Sequence, residues 1–345
     1  MQPIKILHVS FCYHAGVKSA IEGLVANSPT FSHSLIYRGK SNPNSHLFHS
    51  TDEISLRPFD IMTLVRAAKR QYNIVHLHSS WAGFWGRLLL PGTLRIYQPH
   101  SIAFMSYGIG KSKRLLFKLI EVALAPLTRA IISVSEFEEM TIRQAIRSVP
   151  VRRVPNVATT ASSEKFADRH TAESLNVVTV GRLSRQKDPI FFAEICEQLL
   201  ASERPPQVTW IGDGSDEYKR RLARAGATVT GWVGRGHLEK ELKAASIYIH
   251  TAQYEGMPLS ILEAASFGIP ILIRNIPHLA DLPFQKFSTA SEAVEMIERC
   301  LRTPNQLLIE SAKSEHFASS QSSDSQRKAY ESIVFEVLAQ NSRED

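Results

Sequence analysis

The chain is predicted to be an α/β protein built from two Rossmann-like, doubly wound parallel-sheet domains. Short apolar, β-rich runs alternate with amphipathic helical stretches along most of its length. That alternation is the pattern of a parallel sheet covered by helices on both faces. It occurs twice, interrupted by a polar, non-periodic stretch at 159–174. The 345 residues, 43% of them apolar, are enough for two sizeable cores.

In the first run, strands are expected at 5–9, 34–37, 74–78, 94–98, 130–134 and 151–154. Val17, Ala20, Ile21, Leu24 and Val25 recur at i, i+3, i+4, i+7 and i+8, one face of the first helix. A helix after residue 110 is assigned Leu116, Leu119, Ile120, Ala123 and Leu124 as its core stripe. The second run opens with a strand from Asn176 and continues with strands at 208–211, 227–230, 247–250 and 269–273. Its first helix has Phe191, Phe192, Ile195 and Leu199 as an apolar stripe. Asp188-Pro189 supplies that helix with an N-cap and a proline at the first position. Thr289-x2-Glu292 reads as a capping box for a helix through Leu301, and a last helix is expected over 327–338. The resulting division is a first domain at 1–157, a linker at 158–174, a second domain at 175–318 and a closing segment at 319–345.

Composition narrows the function. Cys12, Cys196 and Cys300 are far apart and odd in number, which suggests a reducing compartment and no disulfide framework. Strand-like residues begin at Ile4, so no signal peptide is expected, and no apolar run reaches the ~20 residues of a spanning helix. A cytoplasmic location is therefore expected. The net charge of +7 favours anionic partners. No zinc-finger spacing or aromatic RNA-binding strand is present, so nucleic acid is not among the expected partners. His76 and His78 share one face of a strand, but no carboxylate or thiolate stands near them at ligand spacing. Asp213-x2-Asp216 is an equally poor ligand set. No metal is expected.

Two segments carry the chemistry. In Tyr254-Glu255-Gly256-Met257-Pro258-Leu259-Ser260-Ile261-Leu262-Glu263, Gly256 frees a bend and Pro258 suits the first turn of a helix. Such a helix start offers unpaired N–H groups to a phosphate. Glu255 lies at the mouth of the loop and Glu263 about a turn and a half into the helix; by spacing alone the pair also fits a plain surface helix. Upstream, Gly181-Arg182 follows a strand and Lys187 precedes the capped helix. Arg182 and Lys187 can clamp a diphosphate there, one as a planar fork and one as a point charge.

These segments resemble the donor-binding half of retaining glycosyltransferases of family four, which have the GT-B fold. That family carries Gly-Arg-x5-Lys and Glu-x7-Glu in this order. Val75-His76-Leu77-His78-Ser79-Ser80-Trp81-Ala82-Gly83, Gln98-Pro99-His100, Ile132-Ser133-Val134-Ser135-Glu136 and Val154-Pro155-Asn156-Val157 are similar to segments of its first domain. Where the family has two or three glycines after the first strand, this chain has His14-Ala15-Gly16. The resemblance implies two domains facing across a cleft, with a C-terminal helix returning to the first. It implies a nucleoside-diphosphate sugar as donor, UDP-sugar ahead of GDP-sugar, and no other cofactor. The acceptor would be a glycan or lipid-linked glycan.

By the same resemblance, Glu255, His100, Arg182 and Lys187 would carry catalysis, with Glu255 on donor-sugar hydroxyls and His100 beside the sugar. The donor would be bound by Gly16, Gly181, Arg182, Lys187, Gly212, Trp232, Val233, Glu255, Gly256, Met257, Pro258 and Leu259, with Glu263 on the ribose. Trp232 either stacks on the base or belongs to the core. The other readings of the same fold are a nucleotide-sugar epimerase, a phosphorylase, or an accessory subunit without activity. Finally, the apolar, glycine-containing loop 101–110 leads into Lys111, Lys113, Arg114 and Lys118. Cations at a helix N-terminus oppose the helix dipole, so an anionic membrane surface is expected to be their partner, placing the enzyme on the inner face of the cell membrane.

Overall fold

The computed structural model describes residues 3–39, 41–54, 72–105, 109–162, 164, 166–169 and 175–341. Ser106, Tyr107 and Gly108 of the apolar loop, and much of 163–174, lie outside the described residues. The chain forms two compact units, Met1–Val157 with Ser322–Asp345, and Ala158–Gln321.

Unit 1 holds β1 (Lys5–Ser10), α1 (Ala15–Ala26), β2 (Ser32–Tyr37), β3 (Ser50–Glu53), β4 (Ile74–His78), α2 (Ser79–Leu89), β5 (Arg95–Gln98), α3 (Lys111–Leu124), β6 (Ala130–Ser133), α4 (Glu136–Ala145) and β7 (Val151–Arg153). Its parallel sheet has the order β3-β2-β1-β4-β5-β6-β7. Unit 2 holds α5 (Phe166–Arg169), β8 (Asn176–Val180), α6 (Pro189–Leu200), β9 (Gln207–Ile211), α7 (Asp216–Arg224), β10 (Thr228–Val229), α8 (Arg235–Ala244), β11 (Ile247–His250), α9 (Leu259–Ser266), β12 (Ile271–Arg274), β13 (Gln285–Phe287), α10 (Ala290–Arg302) and α11 (Pro304–Ser320). Its sheet is also parallel, in the order β10-β9-β8-β11-β12-β13. The two-sheet α/β architecture matches the expectation. Helix α12 (Ser323–Asn341) packs Tyr330, Ile333, Val334 and Val337 into the unit 1 core with Ile6, Ile74, Ile96 and Ile132.

Each sheet reverses its strand order once, between β1 and β4 in unit 1 and between β8 and β11 in unit 2. Ligands of open α/β sheets bind at the carboxyl ends of strands at such points. The segments that start at Phe11, Ser79, Gly181 and Thr251 therefore hold the positions of interest.

Local sequence accounts for most elements. The predicted face of α1 is buried through Ala20, Ile21, Leu24 and Val25. Asp188 caps α6 by accepting from the Phe191 N–H at 3.3 Å, and Pro189 is its first residue. Thr289 caps α10 by accepting from the Glu292 N–H, while the Glu292 carboxylate reaches back to the Ser288 N–H rather than to Thr289. Strands β3 and β13 were not anticipated; both are short, polar sheet edges with no apolar period. Helix α11 was also missed, because the buried Glu310, Ser311 and Ser314 break its apolar stripe.

Two expectations change. The stretch expected as a linker is tied into unit 2: Phe166 is buried in its core, and the Thr160 hydroxyl donates to Glu239. Second, α3 does not bury the stripe assigned to it. Leu116 and Leu119 are 54% and 57% exposed, and Ala123 is exposed, whereas Glu121 and Leu124 are buried. The reason is a buried ion pair. Arg87 on α2 meets Glu121 at 2.8 Å, lies over the Tyr97 ring at 4.2 Å, and the Tyr97 hydroxyl donates to Glu121 at 3.0 Å. A buried guanidinium left unpaired would be far costlier than an exposed leucine. The pair therefore sets the rotation of α3, leaving Leu115, Leu116, Leu119 and Val122 facing outward.

Candidate functional site

In unit 2 the loop after β8 and the loop after β11 are laced together. The Thr251 hydroxyl donates to the Lys187 carbonyl at 2.8 Å, the Gln253 N–H to the Gln186 carbonyl at 2.8 Å, and the Gln186 amide to the Tyr254 carbonyl at 3.0 Å. This brings Lys187 Nζ to 2.6 Å from Glu255 Oε1, with both side chains largely buried. His250 Nε2 lies 3.5 Å from the same oxygen. Burial pushes the Glu255 carboxyl up, but the Lys187 ammonium and His250 outweigh it and hold it down at about 2. Burial lowers the His250 pKa against the pull of Glu255. The Tyr248 hydroxyl, which donates to Ser260, meets His250 Nδ1 at 2.9 Å and fixes the ring. Glu263 moves the opposite way. Burial raises its pKa, only partly offset by the Thr159 hydroxyl that donates to Oε1 at 2.6 Å.

Glycines keep this region tight. A Cβ on Gly212 would stand 2.1 Å from the Gly181 carbonyl oxygen, and one on Gly214 would stand 2.3 Å from that of Leu183. The Trp210 indole donates to the Gly181 carbonyl at 2.8 Å. Gly256 and Pro258 are buried, Met257 and Leu259 partly so, and Pro258 is the N-cap of α9 rather than a residue of its first turn. Arg182 is exposed beside this group. Trp232 is 63% exposed, which removes the core reading, and Val233 is partly buried. Asp213 and Asp216 are engaged by Lys219 at 2.6 and 3.3 Å. Sequence reasoning missed Arg274, which pairs with Asp188 at 2.6 Å over the Phe191 ring; a cation at the end of an apolar strand was its signal.

In unit 1, Gly16 lies inside the first turn of α1 with open space about its Cα, and Ala15, at φ 44°, takes the left-handed turn instead. His100 also adopts a left-handed conformation, φ 57°, followed by Ser101 at φ 114°. Strain of this kind persists only where the surroundings fix it. The buried Glu138 carboxylate does so, accepting from the N–H groups of Ser101, Ile102 and Val134 at 2.9–3.0 Å. His100 does not stand alone. His8, His33 and His78 join it through ring-to-ring hydrogen bonds of 2.9 Å, and His76 stacks on His78 with ring centres 4.0 Å apart. Sequence reasoning noted His76 and His78 but passed over His8 and His33, although a histidine inside the buried run Ile6-Leu7-His8-Val9 is itself a signal. Among the described residues, His8, His76 and His78 form the one group that could hold a metal ion, their ligand atoms lying within 4.8 Å of one another. Two of those three, however, already spend their facing nitrogens on each other.

Comparison with known proteins bears on the family and the fold. Residues 25–161 match the family described as Glycosyltransferase Family 4, and residues 174–303 that described as Glycosyl transferases group 1. The chain is 30% identical over 234 residues to the Escherichia coli UDP-Gal:alpha-D-GlcNAc-diphosphoundecaprenol alpha-1,3-galactosyltransferase, covering 60% of this chain and 59% of that one. It is 23% identical over 323 residues to an uncharacterized 41.2 kDa protein in the cps region of Klebsiella pneumoniae, covering 86% and 89%. Its fold is similar to that of Anabaena HepE in complex with UDP and glucose, with TM-score 0.78 and 14% identity over 96% of this chain and all of that one. A sucrose-phosphate synthase from Thermosynechococcus elongatus gives TM-score 0.75 and 17% identity over 99% and 98%. The order of the two matched regions and the two parallel sheets lead to one assignment: the chain belongs to the glycosyltransferases of the GT-B fold.

Proposed function

We propose that the chain transfers a hexose or N-acetylhexosamine from a UDP-sugar, with retention at the anomeric carbon, to a lipid-linked glycan in envelope polysaccharide synthesis. The observation that carries this reading is the Lys187–Glu255–His250 group at the unit 2 switch point, with Arg182 exposed beside it. Lys187 and Arg182 offset the charge that grows on the leaving β-phosphate, a preorganised electrostatic effect. Glu255, ionised at any working pH, accepts hydrogen bonds from sugar hydroxyls. Glu263 takes the ribose. The bond from the anomeric carbon to the β-phosphate oxygen breaks, a bond to the acceptor oxygen forms on the same face, and the acceptor proton passes to the leaving phosphate. The Escherichia coli relative and the UDP complex of HepE favour UDP as the carrier.

The acceptor side is read from α2 and α3. Trp81, Trp85 and Leu88 on α2, and Leu115, Leu116, Leu119 and Val122 on α3, are exposed on helices that pack together. Lys111, Lys113 and Lys118 are exposed on α3, with Arg114 among them. Arg114, Lys111 and Lys118 also line a surface cavity of about 330 Å³ with Phe104 and Leu115. Apolar side chains and amphipathic aromatics beside cations suit the interface of an anionic bilayer, where each cation adds about 1 kcal/mol. No described helix is long and apolar enough to cross a membrane. Sugar transfer from UDP-sugars to a diphospholipid-linked acceptor in anionic vesicles tests the whole reading. UDP should raise the melting temperature more than GDP, and an absence of transfer with every UDP-sugar would remove the assignment. Neutralising Lys111, Lys113, Arg114 and Lys118 should abolish vesicle co-sedimentation at low salt; equal binding by that variant would remove the membrane contact.

A further inference from the structure

We infer that His33, His8 and His78 are positioning residues: a hydrogen-bonded chain that begins at the Ser28 carbonyl fixes His100 as an Nε2–H tautomer with Nδ1 as a hydrogen-bond acceptor. The inference rests on the reading above that His100 meets the sugar, and it names which atom does so and in which role.

The chain starts at a group with only one role. His33 Nε2 lies 2.9 Å from the Ser28 carbonyl oxygen, and a carbonyl can only accept. The Ser28 hydroxyl, 3.2 Å from the same nitrogen, donates to the Leu24 carbonyl at 2.6 Å, so it too can only accept from the ring. His33 Nε2 therefore carries a proton. A neutral imidazole has one donor and one acceptor nitrogen, so His33 Nδ1 accepts, and its partner at 2.9 Å, His8 Nε2, is protonated. By the same step His8 Nδ1 accepts from His78 Nε2–H at 2.9 Å, and His78 Nδ1 accepts from His100 Nε2–H at 2.9 Å. The count closes. Four neutral rings bring four protons, and four gaps, counting the one at Ser28, use one each. A fifth proton inside the chain would place two donors face to face in a gap; the one place it could enter without doing so is His100 Nδ1, the free end. Burial lowers the pKa of all four rings, which keeps the count at four near neutral pH.

His100 Nδ1 is thus left with a lone pair. Its backbone is held by Glu138 through Ser101 and Ile102, so the ring is fixed at its main chain and at Nε2. An acceptor suits a hydroxyl, which can donate, and repels a phosphate oxygen, which cannot. His100 accordingly accepts from a hydroxyl of the sugar or acceptor, and the diphosphate is left to the cations of unit 2. His76 is outside the chain. It meets the Tyr330 hydroxyl at 3.0 Å through Nδ1 and supports His78 by stacking.

The test is imidazole 15N NMR on the full-length protein at pH 7.5, with kinetics on His33 variants. Wild type should show His33, His8, His78 and His100 all as Nε2–H tautomers. In His33→Met the anchor is lost, His100 should populate both tautomers, and kcat should fall about tenfold, the size of one neutral hydrogen bond. His33→Asn, whose amide can donate to Ser28 and accept from His8, should restore both the tautomer and kcat, which a merely structural role would not predict. An Nδ1–H signal from His100 in wild type overturns the chain. So does one zinc per chain in the purified protein with altered His8 and His78 shifts, because a metal would replace their shared proton. If the tautomers are as stated and His33→Met leaves transfer unchanged, the chain stands and the role of His100 at the sugar falls.

Discussion

The two units build their switch points from opposite materials. Unit 2 places the Lys187 amine and the Glu255 carboxylate in near-contact, with Glu255 held at about 2. Unit 1 packs four histidines into its sheet and a fifth into the turn after β5, and burial lowers the pKa of all five, that of His8, His76 and His78 far down and that of His100 to about 4. The difference suits the two tasks proposed above. A diphosphate leaving group needs countercharge, whereas a sugar needs directional acceptors that do not also attract phosphate. The stability of the two units should therefore answer to pH in different ranges.

The largest expected effect is on unit 1. Burial lowers the folded pKa of its histidines, so between that pKa and about 6.5 the unfolded chain binds protons that the folded unit refuses. Stability is complete above about pH 6.5 and falls below it, by about 1.4 kcal/mol per pH unit for each such proton. With several histidines acting together, one to two pH units approach the ~5–15 kcal/mol of a whole domain. Hydrogen exchange followed by peptide should show the unit 1 sheet opening between pH 6.5 and 5 while the β8, β9 and β12 peptides of unit 2 stay protected. Simultaneous loss in both units would break the contrast.

Lys187→Ala comes next. It strands Glu255 as a buried, unpaired carboxylate, a change of about 3–5 kcal/mol. Transfer should fall by at least two decades, and the melting temperature should drop at pH 7. Glu255 contributes its stability above about pH 4.3 and loses it as pH falls toward 2, because its folded pKa is the lower one. The gap between wild type and Lys187→Ala should accordingly narrow below pH 4. A constant gap from pH 7 to 3 would show that the ion pair is not what the substitution removes.

The same contrast explains what could be read in advance. Arg182, Lys187, Glu255 and Glu263 lie in two short segments that could be singled out by their resemblance to a known family, and the Asp188 cap by its local signal, but the meeting of Lys187, Glu255 and His250 could not. The histidine chain draws on β1, β2, β4, the turn after β5 and Ser28 just past α1, its His8–His78 hydrogen bond alone joining residues 70 positions apart, and no local pattern announces it. The orientation of α3 failed for a related reason. Its period was read correctly as helical, but the face was chosen by Arg87, a buried charge on another helix.

Glu263→Gln should have a smaller effect, and of opposite sign. Its carboxyl is raised by burial, so the ionised form weakens the fold above that pKa and the penalty vanishes as pH falls. The amide keeps an oxygen for the Thr159 hydroxyl. The variant should be as stable as wild type or up to about 1 kcal/mol more stable at pH 7, with the advantage gone in acid. Kinetically it should raise the KM for the donor with little change in kcat, whereas Glu255→Gln should chiefly depress kcat. The reverse pattern would exchange the two roles.

Arg182→Ala should have the smallest effect on the fold and still a clear one on the ligand. The side chain is exposed and has no ion pair among the described residues, so melting should shift by no more than about 0.5 kcal/mol. A charge-assisted contact to a diphosphate is worth roughly 1.5–3 kcal/mol, or about one to two decades in Kd for UDP. Calorimetric titration of the variant with UDP and with uridine separates the effects. Uridine has no phosphate, so its affinity should be unchanged while that of UDP falls. If both fall together, Arg182 shapes the loop after β8 rather than meeting the diphosphate. If neither falls, Lys187 carries the countercharge alone, and the positive member of the unit 2 contrast reduces to a single buried ammonium.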